Sequence, residues 1–226
     1  MKALMRKRPL AVVFDCDGTL LDTEQAWQTA REDVLAALGA SSDSGLLAEV
    51  EGMHYAECGK RLAEHAGRPE RGAESARKLL ELYEHRVRAG VRAMPGAVDM
   101  VRMLNGRVPL AVASNCPDST VRSSLNMVQI AACFAAVVAV GHGVAPKPAP
   151  DVYLRAAEQL GVAARDVVAV EDSGSGAGSA REAGMRVLLV NPDATDEDRR
   201  NADAWTPHLS SPEAMRWGAF VAGTRH

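Results

Sequence analysis

Acidic side chains follow two short apolar stretches of the sequence directly. Asp15 and Asp17 come after one stretch, and Glu171 and Asp172 come after another. Acids that share a pocket repel one another, so a nearby cation has to neutralise them. Magnesium prefers oxygen ligands and is usually held by one or two carboxylates, with water and phosphate oxygens completing its shell. Asp15 and Asp172 match that number, and the sequence therefore predicts a Mg²⁺ site.

Two further apolar stretches lead to Ser114-Asn115 and to Lys147. A lysine brings positive charge to a phosphate, and a serine hydroxyl brings a hydrogen-bond donor. Phosphoryl transfer needs in-line positioning and stabilisation of charge on the equatorial oxygens. Of two aspartates two positions apart, one can attack phosphorus and form an aspartyl-phosphate. The other can protonate the leaving oxygen and then activate water.

The stretches that position these residues are short, β-branched and nearly continuous in their apolar character. Such runs are typical of parallel strands that are covered on both faces of a sheet. They lie at residues 10–14, 110–113, 136–140, 167–170 and 187–190.

Helical patterns alternate with the later runs, at residues 119–128, 151–160 and 178–183, with Gly161 and Gly184 placed to end two of them. Strand–helix alternation predicts an α/β fold with a doubly wound parallel sheet. Ligands bind beyond the carboxyl ends of the strands in such sheets, which is where the polar residues occur. A helix at 97–104 and a short final strand and helix after Pro192 complete the prediction.

The connection between the first run and the second is too long for a single crossover helix. It contains three helical patterns, at residues 23–38, 56–66 and 70–89. Asp22 is a candidate N-cap of the first, and Gly39 is a candidate stop. We therefore predict a helical cap domain at 22–93, inserted into a core domain formed by 1–21 and 94–226.

Composition excludes several classes of protein. The chain has 226 residues, with 24% charged residues, 47% hydrophobic residues and a formal net charge of -3. These values argue against disorder and against nucleic-acid binding. The apolar run near the N-terminus has only five residues, so we expect neither a signal segment nor a membrane span. The sequence therefore predicts a soluble cytoplasmic protein. None of the four cysteines forms a C-x-x-C pair, and we expect all four to be reduced.

Four motifs, taken in order, resemble the haloacid dehalogenase (HAD) superfamily. They are Asp15-x-Asp17-Gly18-Thr19-Leu20, Ser114-Asn115, Lys147-Pro148-Ala149-Pro150-Asp151, and Glu171-Asp172-Ser173 with Gly176 and Gly184-Met185. The long helical insert after the first motif resembles the cap domain of the phosphoglycolate phosphatase and β-phosphoglucomutase branch. The resemblance implies a HAD-like Rossmannoid core with that cap.

The resemblance also implies roles for individual residues. Asp15 would be the nucleophile and Asp17 the acid/base, with Ser114 and Lys147 as further catalytic residues. Magnesium would be held by the Asp15 carboxylate, the Asp17 backbone carbonyl and Asp172, with Glu171 in support behind them. Phosphate would be bound by Gly18, Thr19, Ser114, Asn115 and Lys147. Pro146 stands where many relatives have glycine, and Lys147 is still expected to reach the site.

The predicted activity is a phosphatase that acts on a small phosphorylated metabolite, with a monomer as a plausible state. A phosphomutase is the first alternative. Against it, Tyr55 and Trp27 stand where β-phosphoglucomutase has a substrate-binding arginine and a histidine, and residues 95–134 look more like a sugar-phosphate phosphatase. A metal-free dehalogenase would not need Asp17. A non-catalytic phosphate-binding protein remains the alternative from another class.

Overall fold

A six-stranded parallel sheet forms the centre of the larger part of the molecule. A computed structural model describes residues 1–50, 52–141 and 143–224. The strands of the sheet are β1 (Ala11–Phe14), β4 (Leu110–Ser114), β5 (Ala136–Ala139), β6 (Val167–Glu171), β7 (Arg186–Val190) and β8 (Ala204–Thr206). Their order is β5-β4-β1-β6-β7-β8. The carboxyl ends of β4, β1 and β6 are therefore neighbours.

The helices of this part are α5 (Ala97–Leu104), α6 (Asp118–Met127), α7 (Asp151–Gln159), α8 (Gly174–Glu182), α9 (Asp196–Arg199) and α10 (Pro212–Ala222). On one face of the sheet, Val13, Ala111 and Ala169 are fully buried in one cluster with Val152 of α7 and Ala177 of α8. Small and β-branched side chains let the helices pack closely on the strands. The predicted fold class, an α/β doubly wound sheet with a helical insert, is confirmed.

The helical insert contains α1 (Glu24–Leu38), α2 (Ser44–Val50), α3 (Tyr55–His65) and α4 (Gly72–Ala89). A Cβ added at Gly59 of α3 would lie 2.3 Å from the backbone of Ala76 in α4, so glycine lets these two helices approach closely. Trp27 stacks on Tyr83 at a centroid distance of 3.7 Å. Packing divides the chain into two compact units, Met1–Asp22 with Arg92–His226, and Thr23–Val91.

Local predictions differ from the structure in four places. Thr23 is the residue at the N-cap of α1, and Asp22 instead belongs to β2 (Leu21–Asp22), so the N-cap prediction was wrong. Strand β2 pairs antiparallel with β3 (Arg92–Ala93), a pairing that the sequence did not predict. The sequence patterns also did not predict helix α2. Helix α8 begins at Gly174 instead of 178, because the Ser173 side chain caps it by accepting from the Gly176 N–H.

Two expectations about helix and strand positions are confirmed by the described residues. Gly39 ends α1 in the left-handed conformation, with φ of 78°. The final strand and helix are β8 and α10. All four cysteines are free. None of the described helices has both the length and the apolar character needed to span a bilayer.

Candidate active site

Asp15 is the first residue beyond the buried strand β1. Its backbone N–H donates to the carbonyl of Val170 at 2.9 Å, which ties the residue to β6. The residue is 7% exposed. Its Oδ1 accepts a hydrogen bond from Lys147 Nζ at 2.5 Å, whereas its Oδ2 is buried without a hydrogen-bond partner among the described residues. A buried carboxylate oxygen without a donor carries a desolvation cost that a ligand could relieve.

A tight turn follows Asp15 and brings the next polar residues back toward it. Gly18 adopts φ of 82°, and its N–H donates to the Leu21 carbonyl at 2.8 Å. Thr19 is fully buried, and its Oγ1 lies 3.4 Å from Asp172 Oδ1. The turn thus directs the Thr19 hydroxyl to the carboxylate that follows β6.

Lys147 lies in the loop between β5 and α7, where Asn115 fixes its backbone. The Lys147 N–H donates to Asn115 Oδ1 at 2.8 Å, and Asn115 Nδ2 donates to the Lys147 carbonyl at 3.3 Å. The Lys147 ammonium group lies between two carboxylates, 2.5 Å from Asp15 Oδ1 and 2.7 Å from Glu171 Oε1. The restriction imposed by Pro146 does not keep the lysine from the site.

Ser114 ends β4, which lies on the opposite side of β1 from β6. Its side chain is fully buried, and its Oγ donates to Asp17 Oδ2 at 3.5 Å while accepting from the Cys116 N–H at 3.0 Å. Asp17 is half-buried. The hydroxyl therefore points to the carboxyl group that was predicted to act as the acid and base.

Glu171 ends β6 and is fully buried. Its Oε1 accepts from Lys147 Nζ and, at 2.5 Å, from the Tyr153 hydroxyl. Its Oε2 faces the Ser173 hydroxyl at 3.3 Å and the N–H groups of Asp172 and Ser173 at 3.2 and 3.4 Å. The Lys147 ammonium also lies 4.9 Å from the centre of the Tyr153 ring.

Asp172 completes the acidic group. Carboxylate oxygens of Asp15, Glu171 and Asp172 all lie within 4.8 Å of one another. The Asp172 carbonyl accepts from Asn191 Nδ2 at 2.9 Å, which anchors the backbone there. An all-oxygen cluster that includes an unpartnered buried carboxylate oxygen fits a hard divalent cation such as Mg²⁺.

Burial sets the electrostatics of this site. Desolvation, which outweighs the attraction of Lys147, raises the pKa of Asp15 from 3.8 to about 7. Burial and the neighbouring acids likewise raise the pKa of Asp172 well above its usual range. Burial alone would lower the pKa of Lys147, but Asp15 and Glu171 raise it well above its ordinary value. The lysine is therefore cationic, and the acids still lack a full complement of positive charge.

The structure brings together the residues that were predicted to hold metal and phosphate. They are Asp15, Asp17, Gly18, Thr19, Ser114, Asn115, Lys147, Glu171 and Asp172. It also adds three residues that the sequence did not single out as site residues. Tyr153, Ser173 and Asn191 contact the site through Glu171 and Asp172. Tyr153 lies in an amphipathic helix, where an aromatic residue usually indicates core packing. Ser173 is the N-cap of α8, but the glycines that follow it hide the start of the helix in the sequence.

Gly18 offers a test of how tightly this site is packed. A Cβ at this position would lie 2.1 Å from Asp172 Oδ2, and the positive φ adds backbone strain. We expect Gly18→Ala to lower the free energy of unfolding by about 2–5 kcal/mol. Gly106→Ala is the matched control, because Gly106 has φ of 73° and nothing within 4 Å of the added Cβ. In urea unfolding, the control should lose only about 1–2 kcal/mol of its free energy of unfolding. Equal losses in the two variants would contradict the close approach of Gly18 to Asp172.

Comparison with known proteins agrees with this geometry. The sequence model of the family described as Haloacid dehalogenase-like hydrolase matches residues 12–190. Protein CbbY of Rhodobacter capsulatus is 33% identical over 224 residues, which cover 89% of this chain and 94% of that protein. Fructose-1-phosphate phosphatase YqaB of Escherichia coli K12 is 31% identical over 186 residues, 82% of this chain and 98% of that protein.

A solved structure is similar over most of its length as well. It is a CbbY mutant from Rhodobacter sphaeroides in complex with xylulose-(1,5)bisphosphate, with a TM-score of 0.71 and 25% identity over 90% of this chain and 96% of that one. The family match extends from strand β1 to the end of strand β7. The chain is therefore an enzyme that belongs to the haloacid dehalogenase-like hydrolases, in the branch of CbbY-like, β-phosphoglucomutase-like and phosphoglycolate phosphatase-like proteins, and phosphatases are among its homologues.

Proposed function

We propose that this chain is a Mg²⁺-dependent phosphatase that hydrolyses a small phosphorylated metabolite through an aspartyl-phosphate on Asp15. The observation that carries the proposal is the state of the Asp15 carboxylate. One of its oxygens is paired with a buried lysine, and the other is buried without a hydrogen-bond partner among the described residues. A carboxylate that is fixed in direction and poorly solvated is well prepared to act as a nucleophile.

In the first half of the proposed reaction, a carboxylate oxygen of Asp15 attacks phosphorus. The bond between phosphorus and the leaving oxygen breaks, and Asp17 gives its proton to that oxygen. Lys147 and Ser114 face the phosphoryl group and stabilise charge on its equatorial oxygens. The alcohol leaves, and Asp15 carries the phosphoryl group as an acyl phosphate.

In the second half, Asp17 takes a proton from water as the water attacks the same phosphorus atom. The bond between phosphorus and the Asp15 oxygen breaks, which releases inorganic phosphate. Asp15 is again a carboxylate and Asp17 is again protonated, so the cycle closes without any other reactant. The half-buried position of Asp17, within reach of Ser114, is compatible with both proton transfers.

The residues that would hold Mg²⁺ are Asp15, Asp172 and the backbone carbonyl of Asp17. The bound ion would supply positive charge to the carboxylates and to the phosphate oxygens. The close packing of Gly18 against Asp172 keeps the turn and the second carboxylate adjacent. Asn191 holds the Asp172 backbone, which further limits the positions open to its carboxylate.

A sugar phosphate is the substrate class that we propose. The YqaB relative is a fructose-1-phosphate phosphatase, and the CbbY structure contains xylulose-(1,5)bisphosphate. A second relative of similar identity, Hexitol phosphatase A of E. coli K12, is 32% identical over 84% of this chain. These relatives support phosphorylated polyols and sugars as the first compounds to test.

Release of inorganic phosphate from a panel of sugar and polyol phosphates is the direct test. We expect turnover with Mg²⁺, loss of turnover with excess chelator, and recovery when Mg²⁺ is restored. An Asp17→Asn variant, purified in the same way, controls for contaminating phosphatases. Interconversion of sugar phosphates without net release of phosphate would support a mutase instead, and turnover that persists in chelator would reject the proposed metal site.

A further inference from the structure

Both carboxylate oxygens of Glu171 accept hydrogen bonds. Its Oε1 receives hydrogen bonds from Lys147 Nζ at 2.7 Å and from the Tyr153 hydroxyl at 2.5 Å. Its Oε2 receives the Ser173 hydroxyl and the N–H groups of Asp172 and Ser173, at 3.2 to 3.4 Å. The two shortest of these contacts, from Lys147 and Tyr153, are made to the same oxygen, Oε1.

The carboxylate of Glu171 is also confined. A Cβ added at Gly176 would lie 2.0 Å from Glu171 Oε1, so the first turn of α8 closes over the carboxyl group. Glu171 therefore acts as a counterion of Lys147 that is held in one position.

Tyr153 touches both members of the Glu171–Lys147 pair. Its hydroxyl donates to Glu171, and its ring lies beneath the ammonium group at 4.9 Å, within the range of a cation–π contact. The residue is fully buried on α7, and the helix fixes its direction. Lysine has a flexible stem and a compact charge, so the groups around its ammonium determine where the charge lies.

We propose that Tyr153 is a positioning residue, whose hydroxyl fixes Glu171 and thereby holds the Lys147 ammonium group against Asp15. This inference rests on the proposed phosphatase function, in which the same ammonium faces the transferring phosphoryl group. Without the hydroxyl, Glu171 Oε1 is left with Lys147 as its sole side-chain donor. The ammonium group then follows Glu171 and moves away from Asp15.

Tyr153→Phe tests the role by removing one oxygen and keeping the ring. We expect kcat to fall about tenfold and the inhibition constant of inorganic phosphate to rise several-fold, because the displaced ammonium stabilises phosphate less well. Ser124→Ala is the matched control, because it removes another buried hydroxyl, one that donates to the Thr120 carbonyl at 2.8 Å.

Glu171→Gln separates positioning from a general loss of stability. If Tyr153 acts through Glu171, the fold-loss of kcat in the double variant Tyr153→Phe/Glu171→Gln should be much smaller than the product of the fold-losses in the two single variants. Fully multiplicative losses would overturn the proposal, as would a Tyr153→Phe variant with unchanged kcat and phosphate inhibition.

A crystal structure of Tyr153→Phe gives a readout that does not depend on turnover. We expect Lys147 Nζ to lose its hydrogen bond to Asp15 while it keeps the one to Glu171. Unchanged contacts to both carboxylates would contradict the positioning role even if the wild-type chain hydrolyses no phosphate ester. Absence of wild-type turnover on the whole panel, with the expected shift of Lys147, would instead reject the phosphatase proposal alone.

Discussion

Asp15→Asn should abolish phosphate release and at the same time stabilise the metal-free protein. An amide cannot form the acyl phosphate, so we expect a loss in kcat on the order of 10⁴-fold or more. The substitution keeps the shape of the side chain, and its carbonyl oxygen can still accept from Lys147. Loss of activity with a more stable fold is typical of residues that carry a desolvated charge for function.

The expected gain in stability depends on pH. Burial raises the pKa of Asp15 in the folded protein from 3.8 to about 7. The resulting cost to the folded state is absent below pH 3.8, grows between pH 3.8 and pH 7, and is complete above pH 7. The stabilisation by Asp15→Asn should therefore be larger at pH 8 than at pH 5.

Denaturant unfolding of both proteins in chelator, at pH 5 and pH 8, measures this difference. Asp166→Asn is a suitable control, because Asp166 lies at the amino end of β6, away from the carboxyl ends of the strands, and pairs with Lys7. That variant should retain turnover. Retained turnover in Asp15→Asn would remove the nucleophile assignment, and a smaller gain at pH 8 than at pH 5 would contradict the raised pKa of Asp15.

The sheet could be predicted because its strands are buried on both faces. Runs such as 110–113 and 187–190 contain few polar residues, and the same burial produces both the pattern and the strand. Glycines at 161 and 184 marked the ends of α7 and α8, since both adopt positive φ. The order of motifs along the chain then indicated which polar residues lie at one edge.

Elements without periodicity could not be predicted in the same way. Strands β2 and β3 have two residues each, too few for an alternation to appear. Glycines at the start of α8 suggested a later beginning, because the low helix propensity of glycine hides a cap supplied by Ser173.

The contact of Tyr153 with the site could not be predicted for a different reason. Its spacing in α7 is the spacing of core residues, and its hydroxyl reaches Glu171 through a tertiary contact that no local pattern records. The same holds for Asn191, whose amide reaches the Asp172 backbone from the end of β7. Residues that support a site from behind are thus harder to predict than those that follow a strand.

Lys147→Met should remove both activity and a large part of the stability of the metal-free protein. Methionine fills similar space but leaves Glu171 and Asp15 as neighbouring buried acids without their shared cation. Removal of one partner of a buried ion pair typically lowers the free energy of unfolding by about 3–5 kcal/mol. Loss of a positive charge that faces the phosphoryl group should lower kcat by a further factor of about 10² to 10³.

Guanidinium unfolding in chelator measures the first effect, and phosphate release with saturating Mg²⁺ measures the second. Lys7→Met is the matched control in the same unit, since Lys7 is exposed and its partner Asp166 lies at the amino end of β6, away from the carboxyl ends of the strands. It should change stability little, because exposed ion pairs contribute little. Mg²⁺ should narrow the stability deficit of Lys147→Met, because the ion supplies positive charge to Asp15 from its other side. A deficit that is no larger than that of the control would mean that the lysine does not neutralise the buried acids, and the electrostatic basis of the proposed site would fail.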